Sequence, residues 1–185
     1  MSKGYITIKK NMDCMHRIVH HASKCKHVHG HSFLYELTFS YEEQNDLGYA
    51  IDFSEIKRVG VQFLEDYLDH GAILNPEDKQ VIELCKAVNS KYWLMSLNGK
   101  GEFCNPSVEN IAKEVFLIME VLFEKRKPYL YPHRVRIYET PNCFTDCYAD
   151  SIQVRETDAF YQQNRELITK YREEKGVVEY DSRNL

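Results

Sequence analysis

Residues 33–41, Phe-Leu-Tyr-Glu-Leu-Thr-Phe-Ser-Tyr, constrain the fold of this chain more than any other stretch. Phe33, Tyr35, Leu37, Phe39 and Tyr41 recur at every second position, with Leu34, Glu36, Thr38 and Ser40 between them. A period of two is the signature of a strand with one buried face. A shift of one residue would bury the polar set, so the register is fixed. Whatever precedes this strand enters it with a defined orientation. What precedes it is Cys25-Lys26-His27-Val28-His29-Gly30-His31. On an extended backbone His29 and His31 point the same way, with Cα atoms about 6–7 Å apart. Gly30 leaves room between them.

A same-face histidine pair suits Zn²⁺, which takes imidazole nitrogen and usually keeps three protein ligands when it does chemistry. The third ligand is open among His16, His20, His21, His27, His70 and His133. His16 follows a first strand over 5–10, and a hairpin return brings it near the pair. His27 rivals it if the second strand starts early. Cys25 then reads as a nucleophile or base. Asp69-His70 is a second signal, because a carboxylate beside an imidazole fixes its tautomer and raises its basicity. Glu139, at the end of a later strand, can pair two donors of a guanidine-like ring edge.

The rest of the chain supplies a frame. A polar turn at 42–48 leads to a helix from Phe53 to about Leu68, capped by Asp52 or Ser54. Residues 69–76 read as a loop, 77–90 as a weak helix and 91–106, with Asn98-Gly99-Lys100-Gly101, as irregular. Ser107 caps a second strong helix to about Glu124, on which Ile111, Val115, Ile118, Met119 and Leu122 recur at helical spacing. Pro128 and Pro132 break the chain. Residues 133–139 and 147–154 read as strands joined through Thr140-Pro141-Asn142, and a charged tail from Glu156 has helical spacing to about Lys175. The expectation is one α+β domain over 1–155 with an insertion at about 76–105. It holds a four-stranded antiparallel sheet with two helices on one face, and 156–185 form a helical extension. Two open edges suggest pairing with neighbouring subunits.

Bulk properties exclude some classes. At 185 residues, 43% hydrophobic and 28% charged, the chain is an ordinary globular sequence. Its net charge of −4 gives no general attraction to nucleic acid or to membranes. An anionic substrate would need a local basic cluster, for which Lys9, Lys10, Arg17, Lys24 and Lys26 are candidates. No run reaches the roughly 20 apolar residues of a membrane span, and a cytoplasmic location is expected. The six cysteines form no CxxC pair and read as free thiols.

Several motifs together resemble the superfamily of 6-pyruvoyl-tetrahydropterin and 6-carboxytetrahydropterin synthases. They are Met15-His16-Arg17, Cys25-x3-His29-Gly30-His31, Ile51-Asp52-Phe53-Ser54-Glu55-Ile56-Lys57, Leu68-Asp69-His70, Pro106-Ser107-Val108-Glu109-Asn110 and Glu139-Thr140-Pro141-Asn142. The resemblance implies the tunnelling fold, in which trimers close their sheets into a barrel and two trimers stack as a hexamer. It implies His16, His29 and His31 as zinc ligands and Cys25 as the catalytic thiol. It implies Asp69 and His70 as a catalytic pair from a neighbouring subunit. Glu139 would anchor the pterin, with Ser107, Val108 and Glu109 nearby. The three-residue gap from Cys25 to His29 resembles the bacterial carboxy enzymes of the queuosine route, whereas the pyruvoyl enzymes of animals carry a longer gap. The implied reaction turns 7,8-dihydroneopterin triphosphate and water into 6-carboxy-5,6,7,8-tetrahydropterin, acetaldehyde and triphosphate. The alternatives are triphosphate elimination to a pyruvoyl product and a non-catalytic pterin- or zinc-binding relative.

Overall fold

A computed structural model describes residues 3–96, 104–124 and 130–177. The Asn98–Gly101 stretch and Pro128 lie outside the described residues. The long hairpin of β1 (Gly4–His16) and β2 (His29–Tyr41) is the spine of the molecule. The two strands pair antiparallel along their whole length, from Gly4 opposite Tyr41 to His16 opposite His29. The alternation in β2 does what its period demands. Phe33, Tyr35, Leu37 and Phe39 are buried, together with Met12 and Cys14 of β1.

Further along the sheet, β5 (Leu130–Thr140) pairs antiparallel with β2, and β6 (Cys143–Tyr148) with β5. On the other side β3 (Gly71–Leu74) and β4 (Tyr92–Leu94) add in parallel. The expected four-stranded antiparallel sheet is therefore a six-stranded mixed sheet, in the order β4-β3-β1-β2-β5-β6. Both extra strands fall where a loop and an irregular segment were expected. All four residues of β3 are buried, so it shows no alternation to read. The parallel β3–β4 pair needs a crossover connection, and α3 (Lys79–Ala87) provides it. Val81, Ile82 and Cys85 of that helix pack on Ala72 and Leu74 as a small separate core.

Four helical bodies pack with the sheet among the described residues: the two strong helices expected, the weak one at 77–90 and the helical extension. Helix α1 (Phe53–Ile56), a π-helical stretch (Lys57–Val61) and α2 (Gln62–Tyr67) form one rod, capped where the Asp52 carboxylate accepts from the Ser54 amide at 2.7 Å. Helix α4 (Val108–Phe123) is the central slab, with residues buried on most of its circumference. The strand expected at 147–154 lies earlier, at Cys143–Tyr148, a 3-10 turn (Ala149–Ser151) follows it, and helix α5 (Val154–Glu174) forms where the tail showed helical spacing. The Glu156 carboxylate turns back to accept from the Gln153 amide at 3.0 Å, and this starts the helix. Phe160, Ile168 and Tyr171 bury α5 in the main core, and the Tyr171 hydroxyl donates to the Val59 carbonyl at 2.9 Å. The sheet face turned away from this core is polar. Thr7 and Thr38 share a hydrogen bond there, Glu36 pairs with Arg134, and Arg136 pairs with Asp146 through two bonds.

One buried group ties the insertion to the slab. Glu114 of α4 is 1% exposed and accepts from Trp93 Nε1 at 2.9 Å, the Ser96 hydroxyl at 2.5 Å and the Ser96 amide at 3.1 Å. Burial outweighs these bonds and pushes its carboxyl up to about 7, from an ordinary value of 4.5. Between those two pH values the folded chain holds a proton that the unfolded chain releases. This contribution is present below about pH 4.5 and fades as pH rises through about 7, a swing on the order of 3 kcal/mol. Urea unfolding of the wild type and Glu114→Gln at pH 5 and pH 8 is expected to show a smaller loss of stability for the variant on going to pH 8. Equal losses would exclude this origin.

Candidate metal centre

The β1–β2 register builds the site. His16 ends β1 directly opposite His29, while His31 lies opposite Cys14, two residues further along β2. All three imidazoles stand on the side of Met12, Cys14 and Phe33, with ring centroids 4.6, 5.1 and 5.3 Å apart. One nitrogen from each ring lies within 4.8 Å of the others. A metal bonded to imidazole nitrogen at about 2.1 Å needs its ligand atoms about 3.4 Å apart in a tetrahedron. The trio thus needs only a small contraction.

Two of the other ring nitrogens are already engaged. His16 Nδ1 lies 2.8 Å from the Pro106 carbonyl oxygen, and His29 Nδ1 lies 2.7 Å from that of His27. A carbonyl can only accept, so each Nδ1 carries the proton and each Nε2 presents a lone pair. His16 is 1% exposed, and its Nε2 is buried with no hydrogen-bond partner among the described residues. Burial holds the His16 imidazole below its usual pKa, which keeps it neutral as a ligand must be. An orphaned lone pair beside two more imidazoles fits a divalent metal ion. Gly30 has a different role from the one its position suggests. A Cβ there would lie 3.0 Å from the Cys14 carbonyl oxygen, so glycine permits the close approach of β1 and β2 rather than clearing space over the rings.

Glu139, from the last turn of β5, brings its Oε1 to 3.8 Å from His16 Nε2 and 3.9 Å from His31 Nε2. It lies beside a cleft of about 660 Å³ bordered by Lys9, Asn11, His31, Tyr138 and Glu139. Ser107 is the N-cap of α4, its hydroxyl accepting from the Asn110 amide at 3.4 Å. Val108 packs on the main core and Glu109 is exposed.

Asp69 and His70 are placed apart from the trio. The Asp69 carboxylate accepts from the Asp13 amide and from His70 Nδ1, both at 2.7 Å. Burial raises the Asp69 pKa, but the Asp13 amide and His70 outweigh it, and the carboxyl stays below its usual range. His70 adopts a left-handed backbone with φ 54° and leaves its ring 76% exposed. Cys25 sits half-buried in a 3-10 turn, Lys24–Lys26, between the strands. Its carbonyl accepts from the Ile18 amide at 2.8 Å. Among the described residues, no hydrogen bond or ion pair joins Cys25 to Asp69, His70 or the trio within one chain.

The remaining histidines have other surroundings. His27 is exposed and meets the site only through its carbonyl. His21 accepts from the Ser23 amide, and His133 stacks on Tyr5 at 4.6 Å. The basic cluster is smaller than its sequence suggests. Lys10 pairs with Glu65, and Arg17 is bound through two bonds to Asp78. Sequence reasoning missed Asp13, Asn105 and the Pro106 carbonyl. Continuing the β1 alternation beyond Lys10 would have placed Asp13 on the face opposite Cys14 and His16.

Among relatives, the chain is 31% identical over 146 residues to the 6-carboxy-5,6,7,8-tetrahydropterin synthase of Rickettsia bellii, an alignment spanning 76% of this chain and 96% of the relative. The enzyme of the same name from Haemophilus influenzae is 26% identical, with 74% and 92% covered. Among solved structures, an uncharacterised protein from Wolinella succinogenes superposes with a TM-score of 0.62 at 18% identity, over 80% of this chain and 99% of that one. The 6-pyruvoyl tetrahydropterin synthase of Caenorhabditis elegans does so with 0.57 at 17%, over 80% and 97%. These two likenesses show the fold. The sequence profile of the 6-pyruvoyl tetrahydropterin synthase family matches residues 5–150, and with the histidine trio at the end of its paired strands the chain is a member of that family.

Proposed function

We propose that this chain is a zinc-dependent 6-carboxytetrahydropterin synthase. It would convert 7,8-dihydroneopterin triphosphate and water to 6-carboxy-5,6,7,8-tetrahydropterin, acetaldehyde and triphosphate. The observation that carries the reading is the histidine trio, with the Nδ1 atoms of His16 and His29 turned to carbonyls and one nitrogen of each ring converging. The Rickettsia and Haemophilus relatives, which bear the carboxy-synthase name, support the choice of reaction. The three-residue gap between Cys25 and His29 points the same way.

His16, His29 and His31 would hold the zinc. Bound there, with no ligand charge to cancel its own, it would acidify a coordinated hydroxyl and polarise a carbonyl. Glu139 would receive the pterin ring through paired N–H donors and orient the substrate side chain toward the trio. Ser107, Val108 and Glu109 would border that ring. Cys25 would move protons at the side-chain carbons. His70 would exchange that proton through its exposed Nε2, and Asp69 would stabilise the imidazolium.

Within one chain, Asp69–His70 hydrogen-bonds to β1 at Asp13, and among the described residues no hydrogen bond joins it to Cys25. Among the described residues β1 pairs with β3 at Cys14–His16 alone, so residues before Cys14 form an open edge, as does β6. A trimer that joins such edges into a barrel, stacked as a hexamer, would bring Asp69 and His70 to a neighbour's Cys25. A soluble pterin triphosphate is the expected partner. No helix among the described residues is long and apolar enough to cross a membrane.

The test is incubation with 7,8-dihydroneopterin triphosphate, with and without a chelator, followed by mass spectrometry. Acetaldehyde and a carboxylated pterin, both lost on chelation, are expected. A pyruvoyl product would replace this reading with triphosphate elimination on the same residues. No turnover by the zinc-loaded protein would favour a pterin- or zinc-binding role.

A further inference from the structure

The described part of segment 75–106, which contains the insertion, converges on the chain leaving β1. Three successive anchors come from it. His16 Nδ1 donates to the Pro106 carbonyl at 2.8 Å. Arg17 donates through Nε and Nη2 to the Asp78 carboxylate at 2.5 and 2.6 Å. Val19 is gripped at both main-chain atoms by the Asn105 amide. The Val19 amide donates to Asn105 Oδ1 at 2.8 Å, and Asn105 Nδ2 donates to the Val19 carbonyl at 2.9 Å.

The anchors are themselves fixed. Asn105 Oδ1 also accepts from Asn75 Nδ2 at 3.2 Å, and the Asn105 carbonyl accepts from Asn110 Nδ2 at 2.8 Å. Asp78 is 3% exposed and caps α3 through the Val81 amide. A carboxylate this buried is costly to leave unpaired, which locks Arg17 to it. His31 stands inside β2, and His29, the first residue of β2, is oriented locally by the His27 carbonyl two residues away, whereas the carbonyl that orients His16 comes from Pro106, 90 residues along the chain. His16 is the last residue of β1, and its ring direction depends on where Pro106 and the following loop are held.

We infer that Asn105 and Asp78 are positioning residues for the metal, holding His16 in ligating orientation through Val19, Pro106 and Arg17. The inference rests on the metal reading above and gives the insertion a role at the site. A partner that orients a ligand typically contributes about ten- to a hundred-fold in metal affinity.

The test uses the full chain stripped of metal. Zinc affinity is measured by competition with a chelating dye, and the ligand geometry by the visible absorption of the Co²⁺-loaded protein. Asn105→Ala and Asp78→Asn are each expected to weaken zinc about ten- to a hundred-fold and to shift or weaken the Co²⁺ bands. Asn105→Asp, which keeps the acceptor for Val19 but loses the donor, should fall between. Glu83→Ala on the outer face of α3 should match the wild type. A merely structural contribution would lower the unfolding midpoint and leave the Co²⁺ spectrum of the folded protein unchanged. Asp78→Asn retains a helix-capping acceptor and decides the matter if Asn105→Ala does not fold. Wild-type affinity and spectrum in folded Asp78→Asn and Asn105→Asp would overturn the brace. Failure of the wild type itself to bind zinc would overturn the metal reading instead.

Discussion

Replacing His31 by alanine is expected to lower zinc affinity by at least about a hundred-fold, leaving the purified protein nearly free of metal by elemental analysis. The ring of His31 lies 5.3 Å from that of His16 and 5.1 Å from that of His29, and no other imidazole among the described residues joins the cluster. His31 is partly exposed and opposite Cys14 in the hairpin, so the fold should survive its loss. The informative control is His27→Ala. His27 contributes its carbonyl to His29 Nδ1, and alanine keeps that carbonyl. His27→Ala is therefore expected to retain full zinc content, although His27 lies two residues from His29, as His31 does. Equal zinc in the His31 variant and the wild type would refute the assignment.

That contrast shows which parts of the site were legible in sequence. The β2 alternation by itself puts His29 and His31 on one face. Spacing pointed to His16 but left His27 as its rival. Lys10 interrupts the apolar series Ile6, Ile8, Met12 and Cys14 of β1, and the pairing of His16 with His29 shows that the strand continues. Strands β3 and β4 were hidden for another reason. They have four and three residues, and β3 has no exposed position to create a period. Arg17 read as a free cation because its partner, Asp78, is 61 residues away. Val154 read as the end of a strand because the helix start is signalled by Glu156 folding back on Gln153, a weaker cue than Ser or Asp at the cap.

Replacing Cys25 by alanine is expected to lower kcat by about 10²–10⁴-fold while zinc content and the unfolding midpoint stay at wild-type values. The other described cysteines set the comparison. Cys14 is buried, donates to the Leu68 carbonyl at 3.2 Å and has its thiol pushed up to about 12, first by burial and then by Asp69. Such a thiol stays protonated and unreactive, and Cys14→Ala should cost stability rather than turnover. Cys25 instead lies half-buried in the short loop joining the strand ends that carry His16 and His29. In the proposed assembly a second copy of the chain brings His70 to Cys25, which makes the assignment testable by mixing. Cys25→Ala and His70→Ala proteins should each be nearly inactive alone. Dissociated and reassembled together at equal amounts, they should recover about a quarter of wild-type activity, because about a quarter of random interfaces join an intact Cys25 to an intact His70. Full turnover by Cys25→Ala would remove the thiol from the mechanism. Two inactive variants with no recovery in verified mixed oligomers would place both residues in one chain's site, against the separation of Asp69–His70 from Cys25 within the chain.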